Sequence, residues 1–404
     1  MTRKVRYFYY FRGTLSAHVH LYKAWVDAAR RNGIDLEMVT FLNWRTYLKE
    51  FSLVRRLKSD YFHIAPSVRE NLFVFFYFGA ICLFSDRVIV QLKKRSPVPF
   101  DKLKRIFGSK LFYIVELEGD FRAEFDFLKE HPYKQGFYDH LFESLPREMA
   151  SQREILSHAD HVFAVSLPYK KMLQQRYPDL DLDEKVSLMP VTFEPSEMFF
   201  SHESRDEWRR RLKVEDRLVM AYIGNAYYSW QNVYRTIDIG LKLKRLAGIN
   251  AFLLLLVNKE DHGIVGEFLS KLGAKEDDYL LLHARHDEMR FYLSAADIGV
   301  ILRHKHPMNE ILCMPGKLVD YLACGLPVLT TNFMQELPPE LSTKRYGIIL
   351  NNMDDDDEVL SKIEEFVDGS PVNREEISDW ARRRYSTEVQ IASYVDALTK
   401  LGRN

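Results

Sequence analysis

The run AFLLLLV, Ala251 to Val257, contains no polar residue. A half-buried strand alternates with period two and an amphipathic helix repeats near 3.6, and this run does neither. It is far too short to span a bilayer, which takes roughly 20 residues. It suits a parallel strand covered by helices on both faces. Other strand-like runs lie at Val5–Phe11, Ile34–Phe41, Tyr61–Ala65, Arg87–Leu92, Leu111–Glu116, His161–Ser166 and Val186–Pro190. They continue at Leu218–Gly224, Tyr279–His283, Asp297–Leu302, Pro327–Thr331 and Tyr346–Leu350. Helical patterns separate them, among them Ser16–Asn32, Trp44–Lys58 and Gln231–Leu246. This alternation predicts an α/β chain with two Rossmann-like, doubly wound parallel-sheet domains. A length of 404 residues fits two domains. The stretch Pro190–Trp208 holds two prolines and no strand pattern, and it marks the boundary. The expected domains are 1–195 and 196–384, with a cleft between them as the default ligand site.

Composition narrows the function. Lys+Arg and Asp+Glu both number 57, so nothing global points to nucleic acid. Hydrophobic residues at 47% exclude a mainly disordered chain. Cys82, Cys313 and Cys324 form no CxxC pair, which argues against a disulfide scaffold or structural zinc and fits a reducing cytoplasm. The start, MTRKVRYFYYF, lacks the apolar core of a secretory signal. The most apolar stretch, Leu72–Phe84, reads as a buried helix, with an interfacial segment as the minority alternative. Around it the charge is segregated. Between Arg55 and Lys110 twelve Lys/Arg face four acids, a net +8 in a neutral chain. Two readings stand: peripheral docking on an anionic membrane, or a solvated basic rim.

The segment from His306 to Asn332, HPMNEILCMPGKLVDYLACGLPVLTTN, carries the strongest chemical signal. Pro315 suits the first turn of a helix. Gly316 and Lys317 then lie beside the N-terminal amides, and Asp320 follows on the same face. A helix N-terminus with a lysine is an anion site, most simply for a diphosphate. An acid one turn deeper can accept hydrogen bonds from ribose hydroxyls. An ordinary helix-surface pair of Lys317 and Asp320 fits the spacing as well. Gly325 ends the helix.

PGKLVDYLACGLPVL resembles the donor-site signature of the retaining, GT4-like group of GT-B glycosyltransferases. The resemblance implies that Lys317 contacts the diphosphate of a nucleotide sugar and Asp320 its ribose, Asp320 standing where the family usually has Glu. The first glutamate of the family's two-glutamate motif falls on Leu312, and the nearest acid is Glu310. YIGNAYYSWQN resembles the first strand and turn of a donor domain, which points to Gly224 and Asn225; Trp230 and Gln231 read equally as packing at a helix start. Arg303, closing DIGVILR, sits where it can neutralise phosphate. HARH brings His283 and Arg285 near the base. In the first half, Gly13 of RGTLSAH matches a loop that approaches the donor. VELEGD places Glu118 and Asp120 at a strand end, fit for sugar hydroxyls or a proton, or else solvated loop acids. The tail Asp379–Lys400 resembles the family's terminal helix, implying that 385–404 packs back on the first domain.

The implied reaction moves a hexose from a UDP- or GDP-linked sugar to a saccharide or lipid-linked hydroxyl acceptor, in polysaccharide or glycolipid assembly. It needs neither metal nor separate cofactor, since helix dipoles and cations balance the leaving diphosphate. The Asp-x-Asp repeat Asp179–Asp183 reads as a solvated loop. A sugar-nucleotide epimerase of the same fold and a noncatalytic nucleotide-sugar binder are the alternatives.

Overall fold

The computed structural model describes residues 4–11, 15–57, 61–67, 69–93, 98–132, 143, 152–311 and 315–403. The chain forms two units. The first comprises Met1–Phe121, Glu143–Pro190 and Thr387–Asn404; the second comprises Arg122–Phe142 and Val191–Ser386.

The first unit is built on β1 (Val5–Tyr10), β2 (Leu36–Asn43), β3 (Phe62–Ser67), β4 (Arg87–Lys93), β5 (Leu111–Leu117), β6 (His161–Ala164) and β7 (Val186–Leu188). The sheet order is β3-β2-β1-β4-β5-β6-β7, all parallel. The direction of winding reverses between β1 and β4. The helix Thr387–Arg403 closes one face through a buried polar chain. Tyr9 Oη donates to Glu116 Oε2 at 2.7 Å, Gln91 Nε2 donates to the same oxygen at 3.1 Å, and Tyr394 donates to Gln91 Oε1. Burial and the Glu116 charge push both tyrosine hydroxyls up, so they remain donors. Arg87 adds bonds to the carbonyls of Leu401 and Gly402 at 3.0 and 3.2 Å.

Two expectations in this unit are corrected. Trp44–Lys58 is not one helix but two, Trp44–Lys49 and Phe51–Leu57. The first ends at Glu50, whose N–H bonds the Thr46 carbonyl at 2.9 Å. The break lets the second helix send Val54 into the core while the first buries nothing. The apolar helix, Glu70–Leu83, is not buried all round. Val74, Phe78 and Cys82 face the core, but Phe76 and Leu83 are about two-thirds exposed, at 65% and 66%.

The second unit carries β8 (Leu218–Gly224), β9 (Ala251–Val257), β10 (Tyr279–Leu282), β11 (Ile298–Ile301), β12 (Val328–Thr331) and β13 (Gly347–Leu350). Its order is β10-β9-β8-β11-β12-β13, again all parallel. Every residue of β9 is buried. Phe252, Leu254 and Leu256 enter one core and Ala251, Leu253, Leu255 and Val257 the other. That division is why the run has no polar position. Winding reverses between β8 and β11, and in open α/β sheets the crevice beyond such a pair is where ligands bind.

Candidate functional site

The site grows from the ends of β8 and β11. Gly224 closes β8 with φ +108°, a conformation that side chains disfavour. A Cβ there would stand 3.8 Å from Lys317 Nζ, so the turn passes close to that amine. The helix Gly316–Ala323 begins after Pro315, whose φ of −65° suits the entry. Tyr321 anchors it to the sheet. Its hydroxyl donates to the Ala221 carbonyl at 3.2 Å and accepts from the Ile223 N–H at 3.0 Å. Its ring lies over Gly299 of β11, where any Cβ would collide at 2.5 Å. The helix is thereby fixed over the point where the winding reverses, with its N-terminal turn beside Gly224.

Lys317 is 9% exposed. Its Nζ donates to Gln231 Oε1 at 2.8 Å and lies 4.0 Å from the centre of the Tyr222 ring. Among the described residues no carboxylate reaches it as an ion-pair partner. Burial, and then the nearby Arg303 charge, hold its pKa well below the usual lysine range. Arg303 is equally buried and donates to the Trp230 carbonyl at 3.1 Å. The Trp230 ring stacks on Tyr228, centroids 4.2 Å apart. Two desolvated cations thus converge at a helix N-terminus, an arrangement that an anion would stabilise.

Asp320 sits one turn further along. Burial pushes its pKa up to about 6, and the His286 ring opposes that rise. His286 is itself raised, chiefly by its bond to Glu197 Oε2 at 3.0 Å. The fold therefore favours protonated Asp320 relative to a free aspartate at 3.8. Its contribution to stability is present at low pH and lost as pH rises from about 4 to about 6. Asp320→Asn should remove that slope, measured as the difference between wild-type and variant urea midpoints across the window. If the pH profiles of the two proteins are parallel, Asp320 does not titrate in this way.

The remaining predicted residues separate. Asn225 closes its own turn, its Oδ1 accepting from the Tyr227 N–H at 2.6 Å. Glu310 is half-buried on the short helix Pro307–Ile311. His283 is exposed. Arg285 is also exposed and is engaged by Asp287, with N–O distances of 3.0 and 2.5 Å. Within HARH it is His286, not His283 or Arg285, that adjoins Asp320. Gly13 and Leu312 lie outside the described residues.

At the end of β5, Glu118 is exposed, whereas Asp120 is 1% exposed and gives both carboxylate oxygens to Arg176 at 2.6 and 2.7 Å. That ion pair engages the carboxylate which, with Glu118, the sequence offers for sugar hydroxyls or a proton. Tyr169 Oη donates to the Gly119 carbonyl at 2.6 Å and fixes the same turn. In the Asp-x-Asp repeat, Asp179 pairs with Arg153 and Asp183 with Gln174.

Other side chains complete the surroundings. Gln231 and Tyr222 hold Lys317. The segment after Asp120 sends Phe127, fully buried, against Met308 and Trp230. His131 stacks on His304 with centroids 4.6 Å apart. The only sequence signal for this wall is the pair His304 and His306 directly after Arg303.

No protein-family model and no curated protein sequence matches the chain. Solved structures do match its fold along its length. A glycosyltransferase from Rickettsia africae aligns over 99% of both chains at 12% identity, TM-score 0.66. Anabaena HepE, in complex with UDP and glucose, covers 98% of this chain and 100% of its own at 13% identity, TM-score 0.67. Sucrose-phosphate synthase from Thermosynechococcus elongatus gives 12% identity, the same two coverages of 98% and 100%, and TM-score 0.70. The chain has the GT-B fold, with two parallel α/β sheets.

Proposed function

We propose that this chain is a nucleotide-sugar-dependent glycosyltransferase of the GT4-like, retaining type. The observation that carries the reading is Lys317, a desolvated amine with no carboxylate ion-pair partner among the described residues, beside Arg303 and the first turn of a helix. A diphosphate supplies the missing negative charge. The donor is a UDP- or GDP-linked hexose, with its diphosphate on Lys317, Arg303 and the amides after Pro315. Asp320 accepts from the ribose. HepE, of the same fold, holds UDP and glucose, which supports a nucleotide sugar here.

In the proposed reaction the bond from the anomeric carbon to the diphosphate oxygen breaks, and the acceptor oxygen bonds to that carbon. The acceptor's proton leaves with the diphosphate, and the anomeric configuration is kept. Lys317 and Arg303 stabilise the charge that develops on the leaving group. The acceptor is a saccharide or lipid-linked hydroxyl. Glu118 orients it, and Asp120 holds the turn. These two carboxylates should therefore separate in experiment. Glu118→Gln should lower kcat/KM for the acceptor without moving Tm. Asp120→Asn should instead lower stability by roughly 1–3 kcal/mol, the cost of weakening a buried charged hydrogen-bonded pair. Equal acceptor kinetics in wild type and Glu118→Gln would remove Glu118 from the reaction.

The reaction itself is tested by incubating the protein with UDP- and GDP-hexoses and a panel of sugar and polyprenol-phosphate-sugar acceptors. Free nucleoside diphosphate should appear with an acceptor product whose NMR coupling shows the donor's anomeric configuration. An isomerised nucleotide sugar formed from donor alone would point to an epimerase instead.

A further inference from the structure

The helix Glu70–Leu83 is apolar on both sides, and the core uses only one. Val74, Phe78 and Cys82 recur every four residues and are buried. On the other side Leu72 and Phe73 are 50% and 49% exposed, and Phe84, just past the end, is 80% exposed. With Phe76 and Leu83 they make an outward apolar stripe where a surface helix would ordinarily be polar. The neighbouring helix Val98–Phe107 packs alongside, bringing Leu103 Cδ2 to 3.4 Å from where a Cβ on Gly79 would stand. It adds exposed Ile106, with exposed Lys102 and Arg105 on the same helix and exposed Lys110 just beyond. This surface lies within the stretch that holds twelve basic and four acidic residues.

We propose that this face docks on a bilayer rich in anionic lipid. Phe73, Phe76, Leu83 and Phe84 enter the boundary between headgroups and acyl chains, and Lys102, Arg105 and Lys110 meet the lipid phosphates. The contact is interfacial: among the described residues no helix is long and apolar enough to cross a membrane. The exposed cations Lys102, Arg105 and Lys110 argue for this occupant, since they complement a negative leaflet and would repel a second copy of the same face. The inference stands on this surface alone and does not depend on the transferase reading.

Co-sedimentation tests it, with vesicles of phosphatidylglycerol and phosphatidylcholine against phosphatidylcholine alone. The protein should pellet with the anionic vesicles at low salt, and the bound fraction should fall several-fold at high salt as the charges are screened. The double variant Phe76→Asp/Leu83→Asp should bind about tenfold less or weaker still, because it places two carboxylates in the apolar contact. Its Tm should be unchanged, since both side chains are exposed. Lys102→Gln/Arg105→Gln should weaken anionic binding several-fold and leave the weak phosphatidylcholine signal alone. Absence of pelleting with anionic vesicles at low salt overturns the proposal, as does equal binding by the Asp variant. So does a dimer in analytical ultracentrifugation that the Asp variant dissolves while wild type ignores vesicles, because the face would then be a self-interface.

Discussion

Lys317→Ala is expected to lower transfer by about 10²–10³-fold, the usual effect of losing one preorganised donor to a charged leaving group. The loss should fall mainly on kcat, because negative charge on the diphosphate grows as the glycosidic bond breaks. Stability should move the other way. Burial and Arg303 already disfavour the charged amine, so the fold bears a cost for keeping it. Lys317→Met, which keeps the stem and removes the charge, should therefore leave Tm unchanged or higher in the absence of nucleotide. A lysine kept for structure would show the opposite, a lower Tm with near-normal turnover. The two readouts, kinetics and thermal unfolding, distinguish a functional cation from a packing one.

Gly325→Ala should be among the most damaging single substitutions in the chain. Gly325 ends the Lys317 helix at φ +65°, and its added Cβ would lie 2.2 Å from the Arg374 carbonyl oxygen. The left-handed conformation costs about 1–2 kcal/mol for an L side chain. Overpacking adds roughly 1–3 kcal/mol, and here the obstacle is backbone rather than a flexible side-chain tip. Arg374 has little freedom to retreat. It donates to the carbonyls of Ala296, Leu293 and Cys324, and burial lowers its pKa to about 9. Chemical denaturation should show a loss of several kcal/mol or no soluble protein, against little change for Gly263→Ala, where a Cβ meets nothing within 4 Å. Wild-type stability in Gly325→Ala would contradict this account of the helix end.

The sheet was legible because burial on both faces leaves a mark that one-sided burial does not. The all-apolar β9 feeds two cores, and a run of that short length suits a strand covered on both faces. The Lys317 helix was legible from Pro315 before it and Gly325 after it, both of which have backbone reasons to be where they are. Other features depend on partners distant in sequence. Asp120 reads as an open strand-end acid until Arg176, 56 residues later, closes on it. Gln231 reads as helix-start packing until Lys317, 86 residues on, donates to it. His286 was hidden inside HARH because the turn from β10 into the helix His286–Ala295 gives no period from which to infer which histidine turns inward. The helix Glu70–Leu83 was misjudged for the converse reason: a segment apolar all round does not say which side stays out.

Native mass spectrometry of the intact chain with a panel of nucleoside diphosphate sugars tests the central claim most directly. A one-to-one adduct with a UDP- or GDP-linked hexose is predicted for wild type and for Arg285→Ala, whose side chain is committed to Asp287 on the surface. The adduct should be lost or greatly weakened in Lys317→Ala. No adduct with any nucleotide sugar, or one that persists unchanged without Lys317, would contradict the donor site described here.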